Sequence, residues 1–225
     1  MTATGAVSAL TGTASPITIT GLTNGTAYTF TVVATNAVGT SAASALSNSA
    51  TPAGVPGAPT IGTATAGNTT ASVSFTAPAN TGGSAITGYT VTSSPGGLTQ
   101  TGSISALTGT ASPITITGLT NGTAYTFTVT ATNAIGIGAA SAASNSATPA
   151  GVPGAPTIGT ATPGNATASV TFTAPAITGG SAITSYTVTS RPGGLTATGA
   201  VSALTGTASP ITITGLTNGL SLIHI

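Results

Sequence analysis

The chain has 225 residues with no Asp or Glu, one Lys or Arg, one His, no Cys and a formal net charge of +1. General acid–base catalysis, calcium sites and nucleophilic triads need carboxylates or a paired base, and zinc sites need Cys or grouped His, so this inventory excludes them. The single cation, Arg191, offers no electrostatic footprint for nucleic acid or an anionic membrane. Composition also separates the chain from disordered sequences, which combine low hydrophobicity with high charge. Here 40% of residues are hydrophobic, essentially none are charged, and the apolar residues alternate.

The phrase Ser-Pro-Ile-Thr-Ile-Thr-Gly-Leu-Thr-Asn-Gly opens at Ser15, Ser112 and Ser209, each 97 residues from the next. A period of that size is long enough to close a hydrophobic core of its own, so the repeating unit is a domain rather than a solenoid turn. The register predicts a partial copy over 1–52 holding only the later strands, a complete copy over 53–149, and a partial copy over 150–219 holding only the earlier strands. Residues 2–25 repeat at 196–219, with Met1 standing where the later copies have Leu98 and Leu195. This predicts a reading frame that extends upstream. Residues 220–225, Leu-Ser-Leu-Ile-His-Ile, break the repeat and read as a sequencing-adapter artefact, so His224 is assigned no role. The two partial copies are complementary, which predicts head-to-tail association between molecules.

In chain order, the complete copy opens on a linker rich in Pro and Gly (residues 51–59) that recurs at 148–156, stiff and short of backbone donors. Ala71, Val73 and Phe75 alternate with polar residues, the period of a strand with one buried face. Asn80 to Gly83 is a turn. Ile86, Tyr89 and Val91 form the next strand, ending at Ser94-Pro95-Gly96-Gly97. Residues 103–110 lengthen the following segment and predict an extra hairpin arm. Ile114 and Ile116 mark another strand, Asn121-Gly122 a turn suited to positive φ, and Tyr125, Phe127, Val129 and Ala131 the longest strand. An Ala/Ser-rich segment, 139–147, closes the unit. About seven short strands with turns between them predict an all-β, antiparallel β-sandwich.

The unit resembles a bacterial fibronectin type III domain. Gly57-Ala-Pro-Thr60 resembles the first strand of that family, Ser72 to Pro78 the second and Ile86 to Val91 the third. Leu119 to Tyr125, followed by Val129, Ala131, Asn133 and Gly136, resembles its most recognisable stretch. The resemblance implies an immunoglobulin-like sandwich and a tyrosine corner at Tyr125 with Leu119, and at Tyr28 with Leu22 in the first copy. Phe75 and Phe172 stand where the family usually has tryptophan.

No catalytic, cofactor-binding or metal-binding residue is assigned, and the chain is read as no enzyme. Four triplets (at Asn24, Asn68, Asn121 and Asn165) fit the glycosylation pattern, as is unavoidable in so Thr-rich a chain. Thr126, Thr128, Thr130 and Thr132, with Thr90 and Thr92 beside them, predict a neutral outward sheet face; an ice or polysaccharide surface is the alternative, against which sheet twist argues. The leading functional expectation is a non-catalytic spacer of tandem fibronectin type III repeats in a larger secreted, cell-surface or phage-tail protein. Its partners would be neighbouring repeats, with no nucleic acid and no membrane span. The alternative is an adhesion module whose loops recognise an extracellular glycan or protein.

Overall fold

The computed structural model describes residues 16–103, 113–200 and 210–219. The arm expected over 103–110 lies outside them beyond Ser103, as do residues 1–15, the adapter-like 220–225 and His224. Every regular element among the described residues is a β-strand. The middle repeat carries β1 (Thr60–Ala66), β2 (Thr70–Thr76), β3 (Ile86–Ser94), β4 (Thr99–Ser103), β5 (Ile114–Thr117) and β6 (Thr126–Asn133). The third carries β7 (Thr157–Gly164), β8 (Thr167–Thr173), β9 (Ser185–Thr189), β10 (Thr196–Ala200) and β11 (Ile211–Thr214).

Sheets form with orders β1-β2-β5 and β4-β3-β6 in the middle repeat, and β7-β8-β11 and β9-β10 in the third. Wherever a register is defined, pairing is antiparallel. Alternation sets the faces: β2 and β6 bury every second residue, and Ala71, Val73, Phe75, Phe127, Val129 and Ala131 are all at most 1% exposed. Phe75 of β2 meets Tyr89 of β3 with ring centroids 4.9 Å apart, tying the inner faces of the two sheets together. The middle repeat is thus an all-β antiparallel sandwich.

Three details refine the sequence reading. The first strand starts at Thr60, where the segment 57–60 ends, because Pro56 and Pro59 have no N–H to give a ladder. Residues 99–103, unassigned from the sequence, pair with β3 across the Pro95-Gly96-Gly97 turn. The closing segment 139–147 is no regular strand. Gly138, Ser141, Ser144 and Ala147 donate their N–H groups to the carbonyls of Ala131, Val129, Phe127 and Tyr125. It advances three residues for every two on β6, so β6 is left with N–H groups that a regular partner would have paired. Serine hydroxyls take their place: Phe127 N–H donates to Ser144 Oγ at 3.0 Å and Val129 N–H to Ser141 Oγ at 2.9 Å. The Ser-Ala-Ala-Ser spacing is the sequence of that edge.

By contact density the chain divides into one compact unit of Met1–Ala64, Val73–Ile116 and Thr126–Asn145, and a second of Thr65–Ser72, Thr117–Tyr125 and Ser146–Ile225. In the first unit, residues 16–52 keep the serine edge: Phe30, Val32 and Ala34 N–H groups donate to Ser47, Ser44 and Ser41. They form only isolated bridges, and Val32 is 61% exposed, since no strands of their own repeat's front half cover them among the described residues. In the second unit, Phe172 packs on Tyr186 at 4.7 Å as Phe75 does on Tyr89. Tyr186 stays half-buried, however, where Tyr89 is 4% exposed beside β6.

Candidate functional site

No group of three or more His, Cys, Asp or Glu occurs among the described residues, so the site is sought in the turns and their hydroxyl and amide groups. The Leu119–Tyr125 stretch ends in a bond that folds it back on itself: Thr120 N–H donates to the Tyr125 hydroxyl oxygen at 3.1 Å. Leu119 is buried and its N–H donates to the Thr69 carbonyl at 3.0 Å, anchoring the turn on the β1–β2 connection. In the first copy Thr23 N–H donates to the Tyr28 hydroxyl at 3.0 Å, with Leu22 and Tyr28 only half-buried. Both phenols sit below the usual tyrosine range. Their backbone N–H donors favour the phenolate, and threonine hydroxyls add to the effect. Tyr89 moves the other way, raised by burial.

Asn121, read from the sequence as a turn residue only, does more. Its Oδ1 accepts from Thr69 N–H at 2.9 Å and its Nδ2 donates to Asn68 Oδ1 at 2.8 Å. Thr69 has φ 54°, a left-handed conformation that β-branched residues rarely adopt, and Asn121 accepts its N–H. Asn218, Asn165 and Ala166 repeat the clamp in the third copy at 2.8 Å for both bonds, with Ala166 at φ 51°. The amide nitrogens of Asn121 and Asn218 are therefore engaged within the fold, and Asn68 and Asn165 accept from them. The pairing of residues 53 apart was invisible in the sequence; its only trace is that Asn recurs at both places in both copies.

Hydrogen bonds also hold the linkers, to the Thr-Asn-Gly turn before each and to the Thr-Gly-Gly turn after it. In the first unit, Gly54 N–H donates to Gly82 O at 2.8 Å, and Asn133 Nδ2 donates to Gly54 O at 2.8 Å and to Thr81 O at 2.9 Å. Gly25 N–H, in the Thr23-Asn24-Gly25 turn, donates to Pro52 O at 2.9 Å. In the second unit, Gly151 N–H donates to Gly179 O at 2.7 Å and Gly122 N–H to Pro149 O at 2.8 Å. Every one of these glycines in the second unit is 97 positions after its counterpart in the first. In the second unit the turns 120–123 and 176–182 border an open groove of about 700 Å³ with no charged side chain in its lining.

The remaining sequence candidates do not join this site. Arg191 is exposed on the turn after β9. Across the outer face of the β4-β3-β6 sheet, Thr90 stands opposite Thr130 and Thr101, and Thr92 opposite Thr128 and Thr99, a threonine array on three strands.

The profile of the fibronectin type III domain matches residues 57–147, and these residues belong to that family. Among curated proteins, the chain is 38% identical over 139 residues to chitinase A1 of Niallia circulans, covering 59% of this chain and 18% of the chitinase. The chain therefore spans less than a fifth of that relative's length. Among solved structures, a titin domain segment is 25% identical, covering 43% of this chain and 32% of its own, with a TM-score of 0.35. The twitchin kinase region of C. elegans is 23% identical, covering 42% and 17%, with a TM-score of 0.34.

Proposed function

We propose that the chain is a non-catalytic spacer: tandem fibronectin type III repeats, with 1–52 and 150–219 as partial copies of the 53–149 domain, set within a larger protein at the cell surface, in a secreted protein or in a phage tail. The observation that carries this reading is that both linkers are held in the same way: Gly25 N–H donates to Pro52 O and Gly54 N–H to Gly82 O at the first, and Gly122 N–H donates to Pro149 O and Gly151 N–H to Gly179 O at the second. A spacer needs each unit to follow the last in the same way and asks nothing further of its surface. The Tyr125–Thr120 and Tyr28–Thr23 bonds serve as tyrosine corners, stiffening the turn that meets the neighbouring repeat. Likeness to part of a chitinase supports an extracellular setting in which such repeats accompany a separate active domain. The threonine array is a neutral sheet face, since Thr suits strands for its backbone preference and cross-strand packing alone.

The test is depletion of the 225-residue chain from solution by insoluble chitin and cellulose, beside a glycan array. The spacer reading expects no saturable retention on any of them. Saturable binding that is lost on replacing Thr90, Thr130 and Thr101 with Ala would overturn it in favour of an adhesion module.

A further inference from the structure

Positive φ is one reason for glycine at a turn; a neighbour pressed against the Cα hydrogen is another, and the two can be separated here. Gly83 and Gly180 have φ of 79° and 84°. A Cβ on Gly83 would fall 2.7 Å from Gly25 Cα, and one on Gly180 would fall 2.9 Å from Gly122 Cα and 2.7 Å from the Asn121 carbonyl carbon. These are backbone atoms of the preceding repeat, which no rotamer change can move aside. The approach is tight from the other side too: a Cβ on Gly25 would lie 3.1 Å from Gly83 Cα, and one on Gly122 would lie 3.2 Å from Gly180 Cα. By contrast Gly193 and Gly118, with φ of 100° and 78°, have nothing within 4 Å of that position. They are glycines for their φ alone.

We propose that the Thr-Asn-Gly turn of each repeat and the Thr-Gly-Gly turn of the repeat after it form a dedicated docking pair, whose glycine-on-glycine backbone contact fixes how consecutive repeats meet. The partner each surface fits is another copy of this repeat. Glycine permits the approach, and beside it Gly151 N–H donates to Gly179 O and Gly54 N–H to Gly82 O, which holds each linker to the Thr-Gly-Gly turn of the repeat it opens. A side chain of the middle repeat fastens its own linker to its own turn. Asn133 bridges the linker and the turn through Gly54 O and Thr81 O. A Cβ on Gly151 would fall 3.0 Å from Asn121 Nδ2, so the linker runs directly over the Asn clamp. Relative motion between adjacent domains is the ordinary outcome when they share a small surface; an interlocked backbone contact of this kind opposes it. The proposal rests on the spacer reading and makes that spacer stiff at each joint.

The chain has no Cys, so spin labels can be placed cleanly. Thr117→Cys and Thr187→Cys put labels at exposed positions on either side of the second joint in the full 225-residue chain. Double electron–electron resonance should give one narrow distance distribution. Gly180→Ala, and independently Gly122→Ala from the opposite repeat, should each widen it about twofold or more. Gly193→Ala and Gly118→Ala, which carry comparable positive-φ strain without the contact, should leave it narrow. A broad distribution in the unmutated chain would overturn the proposal, as would a distribution that stays narrow in both Gly180→Ala and Gly122→Ala, or one widened equally by the two controls. None of these outcomes bears on polysaccharide binding: a broad distribution without retention would leave the chain a spacer, but a flexible one.

Discussion

Val129 and Ser141 exchange two hydrogen bonds: Val129 N–H donates to the Ser141 hydroxyl oxygen at 2.9 Å, and Ser141 N–H donates to the Val129 carbonyl at 2.9 Å. Both residues are buried, Val129 fully and Ser141 to 8% exposure. The hydroxyl completes a circuit by donating to Ala142 O at 2.7 Å. Ser141→Ala removes the acceptor and leaves a buried N–H unpaired, which costs about 1–3 kcal/mol. Urea denaturation of the full chain should register that loss in the transition of the middle repeat. Ser44→Ala breaks the equivalent bond to Val32, which is 61% exposed; water replaces the hydroxyl there and the midpoint should not move.

Tyr125→Phe keeps the ring and deletes the oxygen that accepts Thr120 N–H. The turn that carries Asn121 and Gly122 then loses its tie to β6. Thermal unfolding followed by circular dichroism should show the midpoint of the middle repeat falling by on the order of 5 °C. The same change at Tyr28, which is half-buried in a copy whose described residues form no regular strand, should leave that midpoint in place.

Stability of residues 53–149 should be nearly independent of pH from about 4 to 9. This segment contains no Asp, Glu, His, Lys or Arg, so folding changes no side-chain proton count in that range. Alkali is different. Burial raises Tyr89 above its ordinary value of 10.0, so its stabilising contribution is full below that value and is lost as pH rises through the folded-state pKa. Tyr125, lowered by the Thr120 N–H, has the opposite sign: its contribution is present above 10.0 and lost as pH falls through its folded-state pKa. Tyr89→Phe should therefore make the segment more resistant to alkali, read as a smaller drop in thermal midpoint above pH 10. An acid-unfolding transition near the carboxylate range would contradict this expectation, since the segment has no carboxylate side chain to drive it.

Alternation made most of the sandwich legible. Val73, Phe75, Val91, Phe127 and Val129 stand at period two in the sequence, and all are buried. Even the one irregular spacing, Ile86 to Tyr89, has its counterpart in a register shift of β3 against β6 between Ile86 and Gly88. What stayed hidden depends on partners distant in sequence. The serine edge has a period of three, which matches no regular strand until β6 is placed beside it. Asn121 finds Asn68 53 residues away, and Gly180 finds Gly122 in another repeat. Local pattern reports which face a residue presents; it does not report what is pressed against it.

In the proposed array the 97-residue period is a self-sufficient domain, and the chain holds such domains whole and partial. Differential scanning calorimetry of residues 53–149 alone tests it most directly. A self-sufficient domain should give one reversible transition whose calorimetric and van't Hoff enthalpies agree, as for a two-state unit. A broad melt with a calorimetric enthalpy well above the van't Hoff value, or a segment that folds only when 16–52 or 150–219 is attached, would contradict it.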